Sequence, residues 1–297
     1  MQTGRRMEMV EQGAGRVVSG LRAVLVAAFL LAGVAPAWAT WSVIAVDQRT
    51  GIVVISSATC VAQERFATFP ARDLMDIQAI VAPGKAVAAA QAGVDLTRQN
   101  QMLIYEELRK GTEPAVIIQM LRSDPNLEVR QFAIVDLQGR SAGFSGAKNG
   151  QASLDRQGHV PGTGIYFSVQ GNILASEAVV TEAVEAFIAA EGALPDRVMA
   201  AMEVADARGG DSRCSCESEP RSAAVACDGK TSHVAYILMA ESSNTVGDSY
   251  NNGRYTMYVT ASNADIQGHE NANPVKTLRI RYDQWRASSG WREAAPD

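Results

Sequence analysis

The sequence predicts an α+β fold. Two observations carry this reading: short β-branched runs come in pairs joined by turn residues, and helical runs come in pairs without the βαβ alternation that a parallel sheet requires. A third refines it. The first strands are apolar at successive positions instead of every second one, which marks strands covered on both faces by another sheet or by helices.

The first pair is 40–47 (Thr-Trp-Ser-Val-Ile-Ala-Val-Asp) and 52–56 (Ile-Val-Val-Ile-Ser), joined by a turn from Asp47 to Gly51 in which Asp47 caps the hairpin. Pro83-Gly84 separates strands expected at 77–82 and 86–91. Residues 96–110 show helical spacing, with Leu96, Leu103 and Leu108 among the apolar positions and Gly111 as the stop; a shorter helix, 114–122, closes at Asp124-Pro125. Strands at 131–136 and 141–145 flank the turn Leu137-Gln-Gly-Arg140, and another strand is expected at 165–170. Helices at 177–191 and 196–207 stop at Gly192 and at Gly209-Gly210. Strands at 222–227, 234–240 and 255–261 and a helix at 275–285 complete the pattern; 241–254 is a polar loop too short to link domains. With no internal repeat or heptad, residues 40–286 form a single domain, followed by a flexible tail, 287–297.

Composition narrows the function classes. The 297 residues are 47% apolar and 20% charged with a net charge of −5, which excludes a disordered, fibrous or multi-span membrane protein. Basic runs are absent and aromatics make up only 6%, so nucleic acid is not an expected partner. The glycines Gly158, Gly162 and Gly164 do not follow the spacing that cradles a phosphate, and the histidines at 159, 233 and 269 are dispersed. No cofactor and no metal is expected.

Residues 1–39 read as an address. Arg5, Arg6, Arg16 and Arg22 precede an apolar stretch from Ala23 to Ala35, and Ala37-Trp38-Ala39 has the Ala-x-Ala form of a signal-peptidase site. The apolar stretch is short of the ~20 residues that a spanning helix needs. Cleavage after Ala39 removes four arginines and two glutamates and leaves 258 residues with a net charge of −7. The expected location is therefore the periplasm or the exterior, with no membrane association once the signal is cut. In an oxidising compartment Cys60, Cys214, Cys216 and Cys227 are expected as disulfides stapling a surface loop, with three pairings open. The alternative, a zinc set of Cys214, Cys216, Cys227 and His233, has a poor Cys-x-Cys spacing for the metal.

The same cut leaves Thr40 as the first residue of a buried strand. A threonine hydroxyl is a weak nucleophile without a base, and a terminal threonine carries its own: a free α-amine with a pKa of about 7.7–8.0. Ser42 and Cys60 are rival nucleophiles, but an internal hydroxyl has no such amine and Cys60 is expected to be oxidised.

The run from Thr40 to Gly51 resembles the opening of the DUF1028 family, which is assigned by fold to the N-terminal nucleophile (Ntn) hydrolase superfamily. The similarity continues in order through Gln91-Ala92, Asp124-Pro125, 130–136 (Arg-Gln-Phe-Ala-Ile-Val-Asp), Gly139-Arg140, Ser145-Gly146 and Gly158-His159. It then takes in 168–174 (Ser-Val-Gln-Gly-Asn-Ile-Leu), Gly209-Gly210-Asp211 and a closing helix from Asn273 to Trp285. The resemblance implies a four-layer αββα sandwich with Thr40 at the nucleophile position. Within it, Gly171 and Asn172, expected just past a strand end, are the candidate oxyanion donors. Asp211 and Arg213 either orient the terminal amine, bind a substrate carboxylate or form a structural ion pair, and His159 is a further substrate-binding candidate. Cys214 directly after Arg213 departs from the family pattern, as does the Cys-rich insertion that follows, and these departures match an exported member that has gained disulfides.

The resulting expectation is an exported Ntn-type amidohydrolase that cleaves a small amide or a peptide, such as a cell-wall fragment, with Thr40 as nucleophile. A non-catalytic envelope binding module on the same fold is the alternative. An uncut signal would leave Thr40 internal and the mechanism impossible. The sequence leaves homo-oligomeric assembly open.

Overall fold

The hairpin at Thr40 forms the centre of the larger of two sheets. In this computed structural model, which describes residues 39–68, 73–221 and 224–293, β1 (Thr40–Asp47) pairs antiparallel with β2 (Ile52–Thr59) on one side and β8 (Ile165–Asn172) on the other. With β7 (Leu154–His159), β9 (Val234–Ala240) and β10 (Met257–Ser262) they make a six-stranded sheet of order β10-β9-β2-β1-β8-β7. The second sheet has four strands in chain order, β3 (Ala79–Ala82), β4 (Ala86–Ala92), β5 (Arg130–Asp136) and β6 (Ser141–Ser145). Every strand pair is antiparallel, so the chain is a mixed α and β fold built on antiparallel sheets. The expected signal peptide falls on residues 1–38, outside the described residues, except for its last residue, Ala39. The described residues belong to one compact unit.

Three apolar clusters account for the successive apolar positions of the central strands. Trp41, Val43 and Ala45 of β1 pack with α4 (Ala178–Ala189), α5 (Leu194–Ala207) and α6 (Pro274–Ser288). The alternate residues Ile44 and Val46 pack against Val87 and Ala89 of β4, Ala133 and Val135 of β5, and α1 (Leu74–Gln78). The far face of the smaller sheet, with Ala88, Phe132 and Ile134, is covered by α2 (Gln99–Lys110) and α3 (Pro114–Met120). Each strand of the first hairpin is thus buried along its whole length.

Several elements differ from the sequence expectation, each for a local reason. Ile77 and Gln78 belong to α1 and not to a strand, because the Asp73 carboxylate caps that helix by accepting from the backbone N–H groups of Met75 and Asp76. The helix expected from residue 96 begins at Gln99, since Arg98 sits in the left-handed region (φ 61°) and Leu96 points to solvent. No pattern announced β7, a mostly polar edge strand. Residues 224–227 of the strand expected at 222–227 are irregular and lie in the cysteine-rich loop. The last helix runs on to Ser288, and the expected tail is packed as far as Trp291, whose ring lies 5.8 Å from Trp285 and whose indole N–H donates to Glu241 (2.9 Å).

The helix stop at Gly209-Gly210 is held tightly against the core. Gly210 has φ +48°, and a Cβ there would meet the Trp41 indole at 2.6 Å. Gly210→Ala is therefore expected to destabilise the fold by about 2–3 kcal/mol, from overpacking plus the left-handed backbone. Urea unfolding measures this; an unchanged midpoint would show that Trp41 can move.

Candidate functional site

Strand register decides what surrounds Thr40. Thr40 and Ser42 share the face of Ile44 and Val46, so both side chains enter the layer between the sheets. Thr40 lies opposite Thr59 on β2 and Asn172 on β8; Ser42 lies opposite Ser57 and Gln170. From the facing sheet come Gln91 of β4 and Gln131 of β5. At the Asp47 end this layer is aliphatic; at the Thr40 end it is polar, although all these residues are buried.

A line of buried amides joins the two sheets there. Gln91 Nε2 donates to the Thr40 carbonyl (3.1 Å) and to Gln131 Oε1 (2.8 Å). Gln91 Oε1 accepts from Ser42 Oγ (2.8 Å) and from Gln78 Nε2 (2.7 Å). Gln78 Oε1 in turn accepts from the Tyr236 hydroxyl (3.1 Å), and burial holds that phenol well above its ordinary pKa, so it remains a donor. Gln131 Nε2 donates to the carbonyl of Gly171 (2.9 Å).

Around the Thr40 side chain the donors and acceptors come from four segments. Thr40 Oγ1 donates to Thr59 Oγ1 (3.3 Å), and Thr59 Oγ1 donates to the carbonyl of Ala39 (2.6 Å). Arg213 Nη2 donates to the same carbonyl (3.1 Å). Its guanidinium clasps the fully buried Asp211 carboxylate through Nε (3.0 Å) and Nη2 (2.8 Å), and Asp211 Oδ2 also accepts from the Cys60 N–H (2.8 Å). The Cys60–Cys214 disulfide fastens the next residue after Arg213 to the end of β2, and Cys216–Cys227 closes a smaller loop. His233 is packed beside this bridge and donates its backbone N–H to the Thr59 carbonyl (2.7 Å). Burial, reinforced by the nearby charges of Lys230 and Arg213, lowers its pKa to about 4, so the imidazole is neutral.

Two strained residues border the same place. Ala92, directly after Gln91, has φ 68°, and Ile173, directly after Asn172, has φ 52°. Left-handed conformations of residues other than glycine cost roughly 1–3 kcal/mol each and concentrate at functional sites.

The structure thus brings together Thr40, Asn172, Asp211 and Arg213. Asn172 and Gly171 are the last two residues of β8, not residues beyond its end. Gly171 serves packing, since a Cβ there would meet Leu174 at 2.6 Å. His159 is not part of the cluster: it is exposed, and it pairs with Tyr166, six residues along β8 from Asn172, or about 20 Å at strand spacing. Asp211 and Arg213 do form the ion pair, and Arg213 is in direct contact with the residue before Thr40. All four cysteines are paired as disulfides, so the sulfurs of the zinc alternative are taken up. Sequence reading gave no role to Thr59, Gln91 or Gln131, and weighed His233 only as a zinc ligand. The signal for the first three was a polar residue at or next to the end of a mostly apolar strand.

The model of DUF1028, a family of unknown function, matches residues 40–247. Among solved structures, the crystal structure of protein SPO2555 from Silicibacter pomeroyi, described as DUF1028, superposes with a TM-score of 0.57 at 20% identity, over 83% of this chain and 89% of that one. At that identity the likeness speaks to the fold alone. No curated protein is similar to the chain.

Two expectations follow from the clamp beside Thr40. Replacing Cys60 and Cys214 by alanine opens a loop of 154 residues and should cost about 5 kcal/mol on a chain-entropy account, against about 3 kcal/mol for Cys216 and Cys227, which span 11. Denaturant unfolding of the two double variants tests the ranking. Stability should also fall as pH drops from about 6.5 to about 4, because the unfolded chain protonates His233 and the folded chain does not. His233→Gln should flatten that slope; an unaltered slope would place the titration elsewhere.

Proposed function

The chain belongs to the DUF1028 family, and we propose that it is an exported amide-bond hydrolase of the Ntn type, acting on a small amide or peptide with Thr40 as nucleophile. The observation that carries the reading is the position of Thr40: first residue of the central strand, its hydroxyl in a buried polar cluster between two sheets. The three stacked apolar clusters favour the four-layer αββα arrangement expected of that superfamily. Two disulfides, together with the lack of any helix among the described residues long and apolar enough to cross a membrane, are compatible with an extracellular location.

In this mechanism cleavage after Ala39 frees the α-amine of Thr40. The amine takes the proton of the Thr40 hydroxyl as Oγ1 bonds to the substrate carbonyl carbon, and the carbonyl π electrons move onto oxygen. Collapse of the tetrahedral intermediate breaks the C–N bond, and the α-ammonium returns the proton to the departing amine. Water then attacks the acyl-Thr40 ester by the same route and releases the acid. Asn172, directly across β1, supplies an amide donor, and the Asp211–Arg213 pair borders the amine.

The second reading, a binding module, is favoured by a cavity of about 260 Å³ on the outer side of the smaller sheet, lined by Asp95, Asn100, Asp124 and Arg130. Arg130 is buried there and ion-paired with Asp124 (2.9 Å).

The test begins with the protein recovered after export of the full-length chain. Its N-terminus should be Thr40 by intact mass and sequencing, and Thr40→Ala should reduce hydrolysis in an amide and dipeptide screen by at least about 10⁴-fold. A terminus elsewhere, or turnover that survives Thr40→Ala, would overturn the reading.

A further inference from the structure

The Ala39 carbonyl shows where an acyl oxygen is received beside Thr40. Ala39 is fully buried, and its oxygen is held by Thr59 Oγ1 at 2.6 Å and by Arg213 Nη2 at 3.1 Å. These donors come from segments far apart in the chain and are fixed independently of the group they hold. The Thr59 hydroxyl is buried and also accepts from the Val61 N–H (3.2 Å) and from Thr40 Oγ1 (3.3 Å). Arg213 is clasped by buried Asp211, which is itself bound to the Cys60 N–H, and the Cys60–Cys214 bridge pins the following residue. Donors held in advance and aimed at one oxygen are what stabilises charge developing there.

Covalent geometry links this oxygen to the nucleophile. The Ala39 carbonyl carbon is bonded to the Thr40 nitrogen, so it lies within a few ångströms of Thr40 Oγ1 whatever the rotamer. Once Thr40 is the first residue, the space vacated by that carbonyl borders both the free amine and the hydroxyl. A substrate carbonyl that enters this space lies within reach of both.

We propose that Thr59 Oγ1 and Arg213 Nη2 form the receptor for the substrate's acyl oxygen, an inference that rests on the Ntn reading above. As the Thr40 Oγ1–carbon bond forms, the electron pair displaced from the C=O bond settles on this oxygen and is stabilised by the hydroxyl and the guanidinium. The Thr40 proton passes to its own amine and then to the leaving nitrogen, so Thr59 and Arg213 neither gain nor lose a proton.

The experiment uses protein exported from the full-length chain, with Thr40 verified as its terminus, and a β-lactone as acylating probe, with the adduct followed by intact mass. The parent should be acylated and Thr40→Ala should not. Thr59→Val and Arg213→Met should each slow acylation by about 10²–10³-fold, the range for loss of one oxyanion donor, whereas Thr59→Ser, which restores a hydroxyl, should recover most of the rate. Thermal midpoints separate unfolding from lost chemistry, since a merely structural role for Thr59 would lower rate and midpoint together. Parental rates in both Thr59→Val and Arg213→Met would overturn this assignment while leaving Thr40 as nucleophile. A parent that is not acylated at all would overturn the Ntn reading, and this inference with it.

Discussion

Burial of β1 on both faces is the constraint around which the rest of the chain is arranged. Trp41, Val43 and Ala45 fill the core under the helices; Ile44 and Val46 fill the core between the sheets. Each of these valine and isoleucine side chains contributes about 1.5–3 kcal/mol by leaving water. A slip of one residue would exchange the two sets and push Thr40 and Ser42 into the helical core. The apolar residues further along the strand therefore hold the Thr40 hydroxyl in the inter-sheet layer.

The polar end of that layer works against stability. Gln91, Gln131, Gln78 and Ser42 satisfy one another across the gap, as a buried network must if it is not to weaken the fold. The side-chain amide of Gln170 and the hydroxyl of Ser168, both fully buried, have no hydrogen-bond partner among the described residues, at a cost of roughly 1–3 kcal/mol for each unsatisfied group. The left-handed backbone at Ala92 and Ile173 adds to that. Such local conflicts within an otherwise consistent core are expected where a site, and not stability, sets the residue. The long-range Cys60–Cys214 bridge offsets part of the cost at the same end of the molecule.

Much of the fold was legible because its elements announce themselves locally. The paired strands at Thr40, at Pro83-Gly84 and at Leu137–Arg140 carry their own turn residues, and the paired helices carry their stops. The failures have equally local causes. A five-residue helix capped by Asp73 looks like strand, Arg98 delays a helix that Leu96 seemed to begin, and β7 has no apolar period because it is an exposed edge. His159 drew attention through its glycine-rich setting, but its place on β7 opposite Tyr166 puts it at the far end of the β8 ladder from Thr40. Thr59 belongs to no motif, and Gln91, although part of the family resemblance, carried no assigned role.

By itself, then, the sequence determined that a strand covered on both faces begins at Thr40, that the chain is a DUF1028 protein and that its four cysteines are of a kind to form disulfides. Only the tertiary structure decided which residues meet Thr40. It joined Cys60 to Cys214, brought Arg213 to the carbonyl of Ala39 and set Thr59 and Asn172 on either side of Thr40. The physical reason is that an apolar pattern records the burial of each segment on its own, whereas contacts between residues far apart in the chain arise from antiparallel register and from the stacking of one sheet on another. Neither leaves a periodic trace in the segments that it joins.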